Sequence, residues 1–153
     1  MVDAMKWIVL LLVVMPVAAS PALPYDEAAD APANVAAGLE QADHEGKQLL
    51  LTFGANWCPD CRVLASALQE PPLSDLIAAH FVVVKVDVGN WDRNQPLVKQ
   101  WGNPIGKGIP AIVVVNADGG ITYTTRAGEL ANARHMGASG LLRFFSDLVE
   151  RDH

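Results

Sequence analysis

The sequence predicts an α/β domain in which one central sheet carries helices on both faces. Three observations lead there. Short runs rich in apolar and β-branched residues recur at Leu49–Phe53, Phe81–Val88 and Ala111–Val115, the pattern of strands covered on both sides. Segments with apolar residues at helical spacing alternate with those runs. The chain has 153 residues, 51% of them hydrophobic, enough for one domain with a substantial core and too few for two.

Taken in order, Val35–His44 is Ala-rich with Val35, Leu39 and Ala42 on one helical face, and Gly46 follows as a stop. Leu49–Phe53 is a buried strand. Gly54 and Asn56 lead into Cys58. Pro59–Gln69 then places Val63, Leu64, Ala67 and Leu68 at helical spacing until Pro71-Pro72 ends the helix. Leu73–His80 is a short second helix before the strand Phe81–Val88. Gly89–Arg93 is a loop and Gln95–Trp101 a short helix. Strand Ala111–Val115 turns through Ala117-Asp118-Gly119-Gly120 into its hairpin partner, Ile121–Thr125. Asn132–Ala138 reads as a long loop, with Arg134 and His135 in solvent. Ser139–Glu150 closes the chain as an amphipathic helix with Leu141, Leu142, Phe145, Leu148 and Val149 turned inward.

The first residues do not belong to this pattern. Lys6 precedes an unbroken apolar run from Trp7 to Ala19, which is too short to span a bilayer and is interrupted by Pro16. A basic start, an apolar middle and the small residues Val17-Ala18-Ala19 make residues 1–19 a secretory signal cut after Ala19, the alternative being an uncleaved membrane anchor. No cysteine stands near the cut to carry a lipid. Residues 20–34, with Pro21, Pro24, Pro32, Asp26, Glu27 and Asp30, read as a disordered Pro/Ala-rich tether. Residues 35–153 are the folded domain. Export places that domain in an oxidising compartment, the periplasm or the medium.

Net charge is −6, from 11 Lys+Arg against 17 Asp+Glu, and three of the acids lie on the tether. No Lys/Arg run exists, which argues against a nucleic-acid or anionic-membrane partner.

Only two cysteines are present, Cys58 and Cys61, in Trp57-Cys58-Pro59-Asp60-Cys61 after a buried strand and at the opening of a helix. The unpaired N–H groups and positive dipole end of a helix N-terminus favour an anion there, so a Cys58 thiolate is stabilised. Cys61 lies one turn later, within reach of a mixed disulfide at Cys58. Pro59 fits the first helical turn, where no N–H is needed. Other readings of the pair are weaker. Zinc needs about four ligands, and His44, His80, His135 and His153 are scattered. Haem attachment needs a histidine where Arg62 stands. An inert disulfide closing so short a loop gains little.

These residues resemble the thioredoxin superfamily over about Val35–Glu150. Three separated motifs carry the resemblance: Ala55-Asn56-Trp57-Cys58-Pro59-Asp60-Cys61; Gly108-Ile109-Pro110 leading into a strand; and Ala127-Gly128-Glu129-Leu130 after the hairpin. The chain is also similar to the C-terminal thioredoxin domain of bacterial membrane thiol:disulfide reductases and to exported disulfide isomerase-like proteins. The resemblance implies an α/β thioredoxin fold, with a central mixed β-sheet and helices on both faces. It implies Cys58 as the attacking thiolate, Cys61 as the resolving thiol, a cis Ile109–Pro110 bond against them, and an apolar contact surface from Trp57, Pro59 and Ile109. Trp91 and Trp101 are expected to be packing residues.

Three features depart from the family: Thr52, Asp60 and the lengthened loop Asn132–Ala138 before the last helix. Thr52 stands where ordinary thioredoxins carry an acid on the buried strand, so Lys85, Asp60 or water is expected to substitute; Lys85 occupies the family's lysine position. Asp60, between the cysteines, disfavours the thiolate. The expected function is therefore a thiol–disulfide oxidoreductase acting on protein disulfides, reductase or isomerase-like rather than a strong oxidase. It uses the Cys58–Cys61 pair with no metal or organic cofactor, acts as a monomer, and exchanges electrons with an upstream thiol reductant or oxidant. The alternatives are a non-enzymatic thioredoxin-fold peptide-binding or chaperone module and a copper or zinc carrier.

Overall fold

The computed structural model describes residues 22–151. The proposed signal residues 1–19 lie outside the described residues. The first helix, α1, runs Ala31–Glu45, with Asp30 accepting the Ala33 N–H at 3.1 Å and Gly46 ending it in the left-handed conformation. It begins four residues before the predicted start, because Asp30 and Pro32 form a cap and first turn. β1 spans Gln48–Gly54, α2 Pro59–Ala67, α3 Leu73–His80 and β2 Phe81–Asp87. α4 spans Gln95–Gln100, and a 3₁₀ turn covers Pro104–Lys107. β3 spans Ala111–Val115, β4 Ile121–Thr124 and α5 Ala133–Glu150.

The sheet order is β2-β1-β3-β4. β1 and β2 are parallel, whereas β1–β3 and β3–β4 are antiparallel, so the sheet is mixed. Successive side chains on a strand point to opposite faces, and each face has its own core. Leu49, Leu51 and Phe53 of β1 pack with Val35 and Ala42 of α1 and Leu97 and Val98 of α4. Leu50 of β1 and Ile112 and Val114 of β3 pack with Leu64 of α2, Ile77 of α3, and Leu141 and Phe145 of α5. This double burial is why β1 and β3 read as continuous apolar runs. No helix among the described residues is long and apolar enough to cross a membrane.

Two expectations are corrected. The segment read as a disordered tether is part of the fold from Tyr25 onward. Tyr25 is 2% exposed, and its N–H donates to Asn56 Oδ1 at 2.9 Å while Asn56 Nδ2 donates back to its carbonyl at 2.8 Å. Composition averages over the segment and so undercounts one aromatic ring that has a slot to fill. The predicted loop Asn132–Ala138 is also largely helical. α5 starts at Ala133, and its one break is Gly137, at φ 67°.

Candidate active site

β1 delivers the chain to the site. After Gly54 it turns through Ala55 and Asn56, with the Cys58 N–H donating to the Ala55 carbonyl at 3.2 Å. Cys58 is then the N-cap of α2, with extended backbone and Pro59 in the first turn behind it. Its sulfur takes the place of the usual capping oxygen: the Cys61 N–H donates to Cys58 Sγ at 3.1 Å. Cys58 and Cys61 are joined as a disulfide, with Cα atoms 5.2 Å apart. Both are buried, Cys61 completely and Cys58 at 3% exposure.

The Ile109–Pro110 peptide, which is cis, lies against the pair. Ile109 O is 3.6 Å from Cys58 Sγ. Ile109 itself is buried in the core, so it offers its carbonyl rather than its side chain to the surface on which it was expected. Gly128 supports this loop at φ 76°, where a Cβ would come within 2.7 Å of the Lys107 carbonyl.

Trp57 and Pro59 are exposed. Trp57 Nε1 donates to the Gly89 carbonyl at 2.8 Å. Trp91, expected to pack, instead stands 47% exposed and edge-on to Trp57, with ring centres 6.2 Å apart. Its φ of 66° is uncommon for a bulky residue, and Gly89 and Asn94 in the same loop are also at positive φ. Trp101 is buried, as a packing residue should be.

The three tuning positions separate. Asp60 is 7% exposed, and its carboxylate reaches the start of α5. Its Oδ1 accepts the Arg134 N–H at 2.9 Å, and its Oδ2 lies 3.7 Å from Arg134 Nε. Arg134 is thus tied through its backbone to the helix that bears the cysteines. Lys85 pairs in register with Thr52 and borders a cleft at the sheet edge with Pro24, Asp26 and Gln41. It makes no hydrogen bond or ion pair to the cysteines among the described contacts. Thr52 is 1% exposed, and its Oγ1 has no hydrogen-bond partner.

Sequence reasoning missed the groups behind Cys61. The Tyr25 ring fills the space above Gly54: a Cβ at Gly54 would overlap the Tyr25 hydroxyl and lie 3.0 Å from Cys61 Sγ. Burial above all pushes the Tyr25 hydroxyl well above its ordinary pKa of 10.0. Beyond it, Arg93 donates to Asp87 Oδ2 at 2.7 Å and to Glu27 Oε2 at 3.1 Å. The Asn56 amide, and then Arg93, hold the Glu27 carboxyl below its usual range. A lone aromatic residue in an otherwise Pro/Ala-rich, acidic segment was the available clue. Among the described residues, no three His, Cys, Asp or Glu converge to hold a metal.

This geometry agrees with comparison to known proteins. A family profile described as thioredoxin-like matches residues 30–117, more than half of the chain. The chain belongs to the thioredoxin-like family. A solved disulphide isomerase from Xylella fastidiosa is 52% identical, with a TM-score of 0.83; the match covers 85% of this chain and 99% of that one. The C-terminal domain of DsbD from Neisseria meningitidis, in its oxidised form, is 29% identical over 63% of this chain and 82% of its own, with a TM-score of 0.49. Tryparedoxin of Trypanosoma brucei brucei is 29% identical over 54% of this chain and 69% of its own. This thioredoxin-like protein is a thiol–disulfide oxidoreductase that acts on protein thiols.

Proposed function

We propose that Cys58 attacks a disulfide of an exported protein, that Cys61 resolves the mixed disulfide, and that electrons flow from this domain to its client. One observation carries the reading: the Cys58 sulfur caps α2 and accepts the Cys61 N–H at 3.1 Å. A thiolate at that position keeps this hydrogen bond and the favourable end of the helix dipole. Attack by Cys58 breaks the client disulfide and forms a Cys58–client disulfide. Attack by Cys61 then releases the client as a thiol and leaves the Cys58–Cys61 disulfide, which an upstream thiol reductant must reduce again. The Ile109–Pro110 loop beside Cys58 supports docking of an extended client segment by backbone pairing. Trp57, Pro59 and Trp91 offer it an apolar face. Asp60 supports the reducing direction, because its charge in the first turn of α2 disfavours the thiolate that makes strong oxidants.

The test is equilibration of the pair with glutathione. A potential near about −270 mV is expected, and one near about −120 mV overturns the proposed direction. The Cys58→Ser variant should lose all insulin reduction; client protection without turnover would instead favour a binding module. Export rests on residues 1–19. N-terminal sequencing of protein recovered from the periplasm or medium should begin at Ser20, and size-exclusion chromatography should give a monomer.

A further inference from the structure

Three buried polar groups, Tyr25, Thr52 and Asp87, lie on or over β1 and β2, and the cysteine chemistry above uses none of them. Thr52 and Gly54 share one face of β1 by the two-residue period of a strand. Asp87 is the register partner of Gly54 on β2. The Tyr25 ring lies over Gly54 on that face, so its hydroxyl and Cys61 Sγ crowd the same point. Thr52 Oγ1 faces that hydroxyl and has no partner of good geometry. Asp87 is 4% exposed, and its Oδ1 is buried without a partner although its Oδ2 holds Arg93. Buried polar atoms left unsatisfied cost free energy, so two of them near the Tyr25 hydroxyl call for a function.

We propose that Tyr25 is a positioning residue for the resolving step: its hydroxyl, buried against the same point as Cys61 Sγ, donates to the Cys61 thiolate and holds it for attack on Cys58. The proposal rests on the oxidoreductase reading. The balance closes with water as the proton carrier. The Cys61 S–H bond breaks and its proton is released to water, leaving the thiolate that the Tyr25 hydroxyl donates to. Cys61 sulfur bonds to Cys58 sulfur, and the client sulfur leaves with its electron pair and takes a proton from water. Thr52 Oγ1 faces the same hydroxyl. The hydroxyl is poised for this role because the Tyr25 backbone is pinned on both sides by Asn56. Of the other charged groups, Arg93 is engaged with Asp87 and Glu27 and Asp60 with Arg134, while Lys85, in register with Thr52, borders the cleft at the sheet edge.

The experiment follows single-turnover resolution of a mixed disulfide against pH in the full chain. Tyr25→Phe keeps the ring and removes the hydroxyl. Resolution should slow about tenfold at neutral pH, with its pH midpoint moving up by about one unit. Alkylation of Cys58, measured in a Cys61→Ser background, should be unchanged by Tyr25→Phe. Thr52→Val removes an unsatisfied hydroxyl, so it should raise Tm and still slow resolution several-fold; a purely structural Thr52 would give the first effect without the second. Independently of any variant, ¹³Cζ-tyrosine labelling of the reduced wild-type protein gives two resonances, from Tyr25 and Tyr123. The Tyr25 resonance should move with the Cys61 titration while Tyr123 does not. An unchanged pH profile in Tyr25→Phe, or a Tyr25 resonance indifferent to Cys61, overturns the proposal while the oxidoreductase reading stands. A wild-type protein that exchanges no disulfide overturns both.

Discussion

Trp91 is held in an uncommon backbone conformation in order to be exposed, which inverts the usual fate of a tryptophan. Strain of this kind persists where the surroundings hold it and where function uses it. Its edge-on contact with Trp57 makes a two-ring apolar ledge beside Cys58. Truncation to Ala should cost roughly the 0.5–1.5 kcal/mol of such an aromatic contact. The expected outcome for Trp91→Ala is a KM for a protein disulfide raised several-fold with kcat unchanged, read from steady-state insulin reduction. Little of this was legible in the sequence. A tryptophan in a short loop gives no sign of whether it points in or out, since both outcomes have the same local pattern. Cys58 and Cys61 were legible because helix start, proline and strand all lie within a dozen residues of them.

At the scale of elements, periodicity placed most of them within a few residues. Strands β1 to β3 were readable because burial on one or both faces leaves a direct mark on residue choice, and the exposed β4 was readable from the turn before it. The start of α5 was not. Asn132 makes no side-chain cap, and the carboxylate satisfying the Arg134 N–H comes from Asp60, 74 residues away on α2. One side chain thereby joins the helix that holds the cysteines to the helix that closes the domain. Two effects of Asp60→Ala follow with different readouts. Loss of the cap should lower stability by about 1 kcal/mol in urea unfolding. Loss of the negative charge in the first turn of α2 should lower the Cys58 pKa, seen as faster alkylation at acidic pH.

For the whole molecule, the two cores on either side of the sheet leave the cysteines at one end of β1, where the N-terminal segment, α2, β2 and the Ile109–Pro110 loop meet. The buried Tyr25 links that end to global stability. Its folded pKa lies above the ordinary 10.0, chiefly through burial, so above that pH the unfolded chain releases a proton that the native chain keeps. Stability contributed by Tyr25 is therefore full below pH 10 and is lost as pH rises beyond it, by at most about 1.4 kcal/mol per pH unit. Tyr123 is pushed the same way, first by burial. Thermal unfolding should show Tm falling from about pH 10 upward, with a shallower fall in Tyr25→Phe and a residual slope from Tyr123.

By itself the sequence determined the mixed α/β architecture, the cysteine pair at a helix start and the proline loop that faces it. Each is written in neighbouring residues, through periodicity, capping and a motif. Only the tertiary structure decided that Tyr25 seals the space behind Cys61, that Asp60 serves α5 and that Trp91 flanks Trp57. Those contacts join residues far apart in the chain, through space left open by one glycine and one uncapped helix, and no local pattern records such a fit.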